Sequence, residues 1–116
     1  MKYLLIHYID EAILGWVEGG HEIDDPEDRR ALEAWDAEMV ARGILVSGAP
    51  LRPVSETKTL QVRGGELLIT DGPYVETKEQ IAGYCVLECE TLEQAIEVSS
   101  RHPTSRIGTF ELRPFA

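Results

Sequence analysis

Apolar and polar residues alternate with a period of two in several stretches of the chain, the pattern typical of β-strands. In residues 2–9 the alternation puts Tyr3, Leu5 and His7 on one face and Leu4, Ile6 and Tyr8 on the other. This apolar stretch predicts a central strand. Further strands are predicted at residues 44–46, broken near Gly48 and Pro50, and at residues 58–63, 66–70, 82–89 and 107–115.

Two stretches have the helical period of 3.6 and local start signals. Asp25 and Pro26 predict an N-cap and first turn for a helix over residues 26–42, whose apolar stripe is Leu32, Trp35 and Met39. Thr91 and Gln94 have the spacing of a capping box and predict a second helix, which His102-Pro103 ends. Residues 10–23 show little periodicity and are predicted to be a loop with one short turn.

The order of these elements predicts the fold class. Gly64-Gly65 suits a tight hairpin turn between residues 58–63 and 66–70. Without that hairpin the order is β-α-β twice, which fits an α+β, ferredoxin-like split βαβ antiparallel sheet with both helices on one face. Order alone leaves other α+β arrangements open. The other face of the sheet would expose apolar side chains, so we expect a homodimer that buries it.

Residues 71–84 carry the densest run of local signals in the chain. Asp71-Gly72-Pro73 is a turn sequence, and the spacing of Thr77 and Gln80 predicts a capping box around a single helical turn that ends at Gly83. Three carboxylates, Asp71, Glu76 and Glu79, lie with Lys78 within nine residues. We interpret this concentration of charge in a specified turn as a functional segment.

The run from Asp71 to Glu79 resembles the signature DGPF-(A)-ETKE of the DGPF subgroup of the YCII-related family. Tyr74 stands where the signature has Phe, and Val75 where Ala is usual. Residues 1–5, 83–84, 92–96 and 108–114 also resemble that family, so the likeness covers nearly the whole chain. The resemblance implies one small domain over residues 1–116, a dimeric α/β-barrel-like assembly and a largely undefined activity. It also implies an alternative, a non-catalytic regulatory module that partners a sigma factor of the extracytoplasmic-function type.

The YciI branch of the same family has a histidine near the first helix and an aspartate before a proline after the second helix, regarded as a catalytic dyad. This sequence has no histidine in residues 26–42, and His102 precedes Pro103 where that branch has Asp. The dyad therefore cannot be carried over to this chain.

Candidate site residues come mainly from the signature segment. Asp71 is either a turn acceptor or a ligand contact, and Lys78 at a pocket rim suits a small anionic molecule. We therefore predict that the chain binds or transforms such a molecule near residues 71–79, with a ligand set of Asp71, Tyr74, Glu76, Lys78, Glu79, Trp35 and Tyr84. Aromatic core filling is the alternative use of the three rings.

The three histidines give the remaining candidates for acid–base chemistry. His7 lies in a predicted strand and is interpreted as structural, and His21 lies in the acidic loop and is interpreted as solvated. His102 is a catalytic candidate with Asp71, and its alternative is a cationic cap at the C-terminus of the second helix.

Composition excludes several classes of function. The 116 residues suit one domain, and a net charge of −10, from 11 basic and 21 acidic residues, argues against a nucleic-acid surface. Cys85 and Cys89 would lie about 13 Å apart along one strand, too far to share a metal or a disulfide. We predict no metal and no cofactor. The strand-like start and the lack of a long apolar run predict a cytoplasmic protein without membrane contact.

Overall fold

A computed structural model describes residues 1–17, 20–22 and 25–116, with only the backbone for residues 15–17 and 20–22. The strands in chain order are β1 (Lys2–Asp10), β2 (Gly15–Val17), β3 (Gly20–Glu22), β4 (Leu45–Pro50), β5 (Lys58–Arg63), β6 (Glu66–Asp71), β7 (Glu79–Glu88) and β8 (Thr109–Pro114). The helices are α1 (Pro26–Ala41) and α2 (Leu92–Ser100), with 3-10 turns at Glu11–Ile13, Val54–Glu56 and Pro103–Arg106.

The main sheet has four antiparallel strands in the order β4-β7-β1-β8. This order, with α1 between β1 and β4 and α2 between β7 and β8, is the split βαβ plan predicted from the sequence. The mixed α+β class is confirmed. Neither helix in the described part of the chain is long and apolar enough to cross a bilayer.

The core forms between the two helices and one face of the sheet. Leu5 and Leu87 come from adjacent central strands, Met39 from α1 and Val98 from α2, and all four are fully buried. The predicted alternation in β1 is confirmed, because Tyr3, Leu5 and His7 are buried and Leu4, Ile6 and Tyr8 are half-buried. The indole N–H of Trp35 donates to the carbonyl of Val98 at 2.8 Å, which ties α1 to α2.

The predicted helix starts are confirmed by their caps. Asp25 accepts from the amides of Glu27 and Asp28 at α1, and Thr91 accepts from the amide of Gln94 at α2. The Gly-Gly hairpin is confirmed as well, because Gly64 and Gly65 have φ of 59° and 81°, the left-handed values that a two-residue hairpin turn requires.

Two other predictions were wrong, and a third concerns a side chain that the structure does not describe. The strand predicted over residues 44–46 runs through Gly48 to Pro50, because a missing side chain at Gly48 lets β4 approach the Tyr84 carbonyl of β7. The described part of residues 10–23 contains the predicted short turn, a 3-10 turn at Glu11–Ile13, but also the end of β1 and the paired strands β2 and β3. The side chain of His21, interpreted as solvated, lies outside the described residues.

The helical turn predicted at Thr77 and Gln80 is also wrong. The Gln80 amide instead donates to the carbonyls of Val75 and Thr77, and β7 already begins at Glu79. Glu79 and Gln80 pair with the end of β1, so sheet hydrogen bonds outcompete one isolated helical turn. Gly83 does not end a turn but lies inside β7, opposite His7.

The β5–β6 hairpin pairs with no strand of the main sheet. One face carries four exposed aliphatic side chains, Leu60, Val62, Leu67 and Ile69. The radius of gyration is 15.8 Å, compared with about 13 Å expected for a compact domain of this size. The hairpin therefore extends away from the domain instead of joining its core.

Candidate functional site

A cavity of about 410 Å³ lies between α1 and the inner face of the sheet. Strands β4, β7 and β1 form its floor, and the 3-10 turn after α2 closes one side. Most of the walls are aliphatic. The polar residues that line it are His7, Asp36, Ser47, Tyr84, Cys85, His102 and Thr104.

The register of the sheet brings a cluster of rings to this cavity. His7 is paired with Phe110 on β8, and their rings stack with centroids 4.4 Å apart. The ring of His102 packs edge-on against His7 at 4.9 Å and against Trp35 at 4.7 Å. On the neighbouring strand β7, His7 is paired with Gly83, which has no side chain. The imidazole therefore borders the cavity.

His102 does not cap α2 as a cation, which corrects one of the two interpretations of this residue. Helix α2 ends at Ser100, and His102 is the N-cap of the following 3-10 turn, where its Nδ1 accepts from the Thr104 amide at 3.2 Å. Burial, aided by the nearby His7, lowers the pKa of His102 to about 3. The imidazole is therefore neutral, with its proton on Nε2.

Cys85 completes a buried group with the two histidines. One donor atom from each of His7, Cys85 and His102 lies within 4.8 Å of the others, so the three residues meet at a spacing from which a metal could be bound. The hydrogen bond at His102 opposes this use, because a ligating histidine normally donates through its second nitrogen. Burial, with a smaller effect of Asp36, raises the pKa of Cys85 to about 12, so the sulfur is a thiol.

Asp36 is the one carboxylate among the described residues that line the cavity. It projects from α1 at the open side, since the residue is both exposed and part of the lining. Burial raises its pKa above the ordinary value. No described residue forms an ion pair or hydrogen bond with Asp36, so its carboxylate is available to a ligand.

The cavity brings together only part of the predicted ligand set. His102 and Tyr84 line it, and Trp35 contacts the His102 ring from the core side. Tyr84 pairs with Ile6, whose side chain is on the opposite face, so Tyr84 contributes its backbone to the cavity.

The predicted residues of the signature segment lie elsewhere, on the surface. Asp71 ends β6 and forms an ion pair with Lys58, which lowers the pKa of Asp71. Tyr74 and Glu76 are exposed. Lys78 is 86% exposed, with its ammonium 3.9 Å from Asp10, and Glu79 accepts from the Thr109 hydroxyl at 2.7 Å. None of these five lines the cavity, and their role in ligand binding stays a prediction.

Sequence reasoning missed Asp36 and assigned His7 and Cys85 to structural roles. A signal for Asp36 was present, because it lies four residues from both Leu32 and Val40 on α1, and an acid between two aliphatic residues on one helix face is unusual. No local pattern could predict that His7, Cys85 and His102 are close in space, because only the sheet and the 3-10 turn bring them together.

A family model described as the YCII-related domain matches residues 1–115. The chain belongs to the YCII-related domain family. A relative of this YCII-related chain, "Uncharacterized protein R00369" from Rhizobium meliloti (strain 1021), is 32% identical over 120 residues, which cover all of this chain and 93% of that protein. The membership confirms the resemblance drawn from the signature segment.

A solved structure shares the fold with this YCII-related chain. It is the 5-chloro-2-hydroxyhydroquinone dehydrochlorinase TftG from Burkholderia phenoliruptrix AC1100, in complex with 2,5-dihydroxybenzoquinone. The TM-score is 0.52 and the identity 11%, over all of this chain and 94% of that one. At this identity the likeness concerns the fold alone.

The low pKa of His102 predicts a loss of stability in acid. Because the folded value, about 3, lies below the ordinary 6.5, the unfolded chain binds more protons between these pH values. The free energy of unfolding should therefore decrease as pH falls through this window. In His102→Asn the side-chain oxygen can still accept a hydrogen bond from the Thr104 amide, but position 102 no longer carries a titratable group.

The measurement is urea unfolding of both proteins at several pH values. From roughly pH 7 to pH 4, we expect the stability of the native chain relative to His102→Asn to fall by about 3 kcal/mol. Carboxylates with lowered pKa, such as Glu38, are present in both proteins and cancel in the difference. A difference that does not change with pH would show that His102 titrates normally in the fold.

Proposed function

We propose that this protein binds a small, uncharged organic molecule in the cavity between α1 and the sheet. The observation that carries the proposal is the cavity itself, whose volume of about 410 Å³ falls in the range of small-molecule sites. Its lining is mainly aliphatic and includes a few polar residues. That composition is the usual one for a ligand pocket.

The charges around the cavity favour a neutral ligand. No lysine or arginine occurs among the described residues that line it, and Asp36 adds a negative charge at the open side. An anion would enter this cavity without a cation to pair with, inside a chain of net charge −10. The dehydrochlorinase that shares the fold is recorded with a small cyclic molecule, which supports a ligand of similar size.

Binding of 1-naphthol, an apolar probe with one hydroxyl, tests whether the cavity takes such a ligand. Val40 is 62% exposed at the rim on α1, so Val40→Trp should narrow the opening without filling the core. We expect the fluorescence of 1-naphthol to titrate with the native protein and binding to weaken at least about tenfold in Val40→Trp, a loss of about 1.4 kcal/mol. The control, Ala37→Trp, changes an exposed position of the same helix outside the cavity.

Two results of the 1-naphthol titration would count against the cavity as its binding site. If 1-naphthol does not bind, or binds equally to Val40→Trp and the native protein, the cavity is not its site. If Ala37→Trp weakens binding as much as Val40→Trp does, the effect belongs to the helix and not to the opening.

A second candidate is the small anionic ligand predicted at the signature segment. The Lys78 ammonium, 86% exposed beside Asp10, supports it, because a solvent-facing cation near a specified turn can meet an anion without desolvation. A surface pair of this kind contributes under about 1 kcal/mol, so Lys78→Ala should leave the melting temperature nearly unchanged.

Citrate serves as the anionic probe for this second site. We expect any thermal shift that citrate gives the native protein to disappear in Lys78→Ala and to persist in Lys2→Ala, which removes an exposed lysine elsewhere. An undiminished shift in Lys78→Ala would remove the signature segment as an anion site. The sigma-factor alternative gains no support from the described surfaces or from the relatives above.

We also propose that two copies pair through the uncovered face of the main sheet. Leu4, Ile6, Tyr8 and Val86 lie side by side on that face and are only half-buried in a single chain. A stable two-fold interface buries about 800 Å² per partner, which a four-stranded sheet face can supply.

Light scattering at micromolar concentration tests the pairing. We expect the mass of a dimer for the native chain and that of a monomer for Ile6→Glu, because a carboxylate at the centre of the face would be buried without a partner. Ala37→Glu, on the exposed side of α1, should remain dimeric. A monomeric mass for the native chain would refute the pairing.

A further inference from the structure

We infer that the cavity is a proton-transfer site for a cyclic ketone, in which Asp36 removes an α-proton while the Nε2–H of His102 donates a hydrogen bond to the carbonyl oxygen. The inference rests on the proposed function, since it needs a neutral ligand in the cavity. It goes further by assigning a reaction class and two roles. Asp36 and His102 both line the cavity, from α1 and from the 3-10 turn after α2.

His102 is a fixed, neutral hydrogen-bond donor. Its Nδ1 accepts from the Thr104 amide, so the ring proton is on Nε2. The rings of His7, Trp35 and Phe110 surround the imidazole, with centroids 4.7 to 5.2 Å away, and hold its plane. His102 also lines the cavity, and we assign the other edge of its ring, which carries Nε2–H, to the ligand.

Asp36 suits the role of general base. A carboxylate engaged in an ion pair is a weak proton acceptor, but Asp36 forms no ion pair or hydrogen bond with the described residues. Burial raises the pKa of Asp36, which strengthens its affinity for a proton. Its charge also acts on the thiol of Cys85, which belongs to the same buried group as His102, so base and donor serve one cavity.

The Nε2–H of His102 matches the charge that develops on a ketone oxygen during proton transfer. Loss of an α-proton moves the C–H electron pair into a carbon–carbon double bond and places charge on the ketone oxygen. That oxygen accepts a hydrogen bond from Nε2–H, while Asp36 becomes a carboxylic acid. Return of the proton to the α-carbon regenerates the ketone, so the cycle requires no oxidant, reductant or metal. A neutral imidazole is an effective donor to an enolate oxygen because it is not already a charged, strongly solvated group.

The apolar lining of the cavity favours a ligand whose body is an uncharged ring system. Leu32 and Val40 from α1, together with Ile9 and Leu14, belong to the apolar lining of the cavity. A ring system without charge would pack against these side chains and carry its carbonyl toward His102. α-Tetralone, a bicyclic ketone with exchangeable α-protons, has this chemistry, and 1-naphthol mimics its enol.

The experiment measures exchange and binding separately. Proton NMR in D₂O follows replacement of the α-protons of α-tetralone by deuterium with the native protein, Asp36→Asn and His102→Asn. Fluorescence titration follows 1-naphthol binding to the same proteins. The matched control is Glu33→Gln, which removes one exposed carboxylate from the same helix outside the cavity.

We expect the native protein and Glu33→Gln to accelerate exchange equally, in proportion to protein concentration. Asp36→Asn should lose at least about 100-fold of the acceleration, the usual contribution of a general base, and should bind 1-naphthol within about threefold of the native affinity. His102→Asn, which retains the acceptor for Thr104 but lacks Nε2–H, should slow exchange and also weaken 1-naphthol binding.

Two outcomes overturn the inference, and they are distinguishable. If 1-naphthol binds and Val40→Trp blocks it, but exchange is no faster than in buffer or is unchanged in Asp36→Asn, the proton-transfer role fails and the binding function stands. If 1-naphthol does not bind and no exchange occurs, the proposed binding function fails and the inference fails with it. Should His102→Asn not fold, Asp36→Asn alone decides between these results.

Discussion

The antiparallel pairing of β1 with both β7 and β8 is the constraint on which the rest of the structure depends. It fixes which side chains of three strands share the inner face, and it places His7 beside Phe110 on one neighbour and Gly83 on the other. A shift of one residue would send the whole inner row to the outer face. A β-bulge interrupts the β1–β7 register between His7 and Tyr8, next to residues that line the cavity.

The ring cluster shows how His102 can be buried as a neutral ring. A buried imidazolium would lose its hydration, but a neutral imidazole packs like an aromatic ring and needs partners only for its two nitrogens. Trp35 gives the cluster a fixed wall, because its indole N–H is itself bonded to the Val98 carbonyl. The same burial that lowers the pKa of His102 makes this residue a donor that stays neutral at physiological pH.

The two helices cover one face of the sheet, and two apolar surfaces of the described residues stay in contact with solvent. One is the outer sheet face around Ile6, and the other is the aliphatic face of the β5–β6 hairpin. An isolated two-stranded hairpin is marginally stable in water, and the base of this hairpin is closed by the Thr59 hydroxyl, which donates to the Gly72 carbonyl. The proposed pairing of two copies would cover the first of these surfaces.

Short-range signals in the sequence determined the elements and their order. Asp25 and Thr91 cap their own helices, Gly64-Gly65 closes its own hairpin, and the alternation in residues 2–9 depends only on the period of a strand. Each of these features involves residues within a few positions of one another, and each was confirmed. The signature residues 71–79 likewise sufficed to indicate the family.

Only the tertiary structure decided where the cavity lies and which side chains face it. Thr77 and Gln80 have capping-box spacing, but pairing with β1 takes their segment into a strand, because several sheet hydrogen bonds outweigh one helical turn. His102 follows a helix in sequence, yet its position under Trp35 and beside His7 makes it a neutral donor and not a cationic cap. The local sequence marks Asp36 only as an acid between Leu32 and Val40 on one face of α1. Its role depends on β1, β4 and β7 lying under α1, and contacts between residues far apart in sequence cannot be read from the chain one segment at a time.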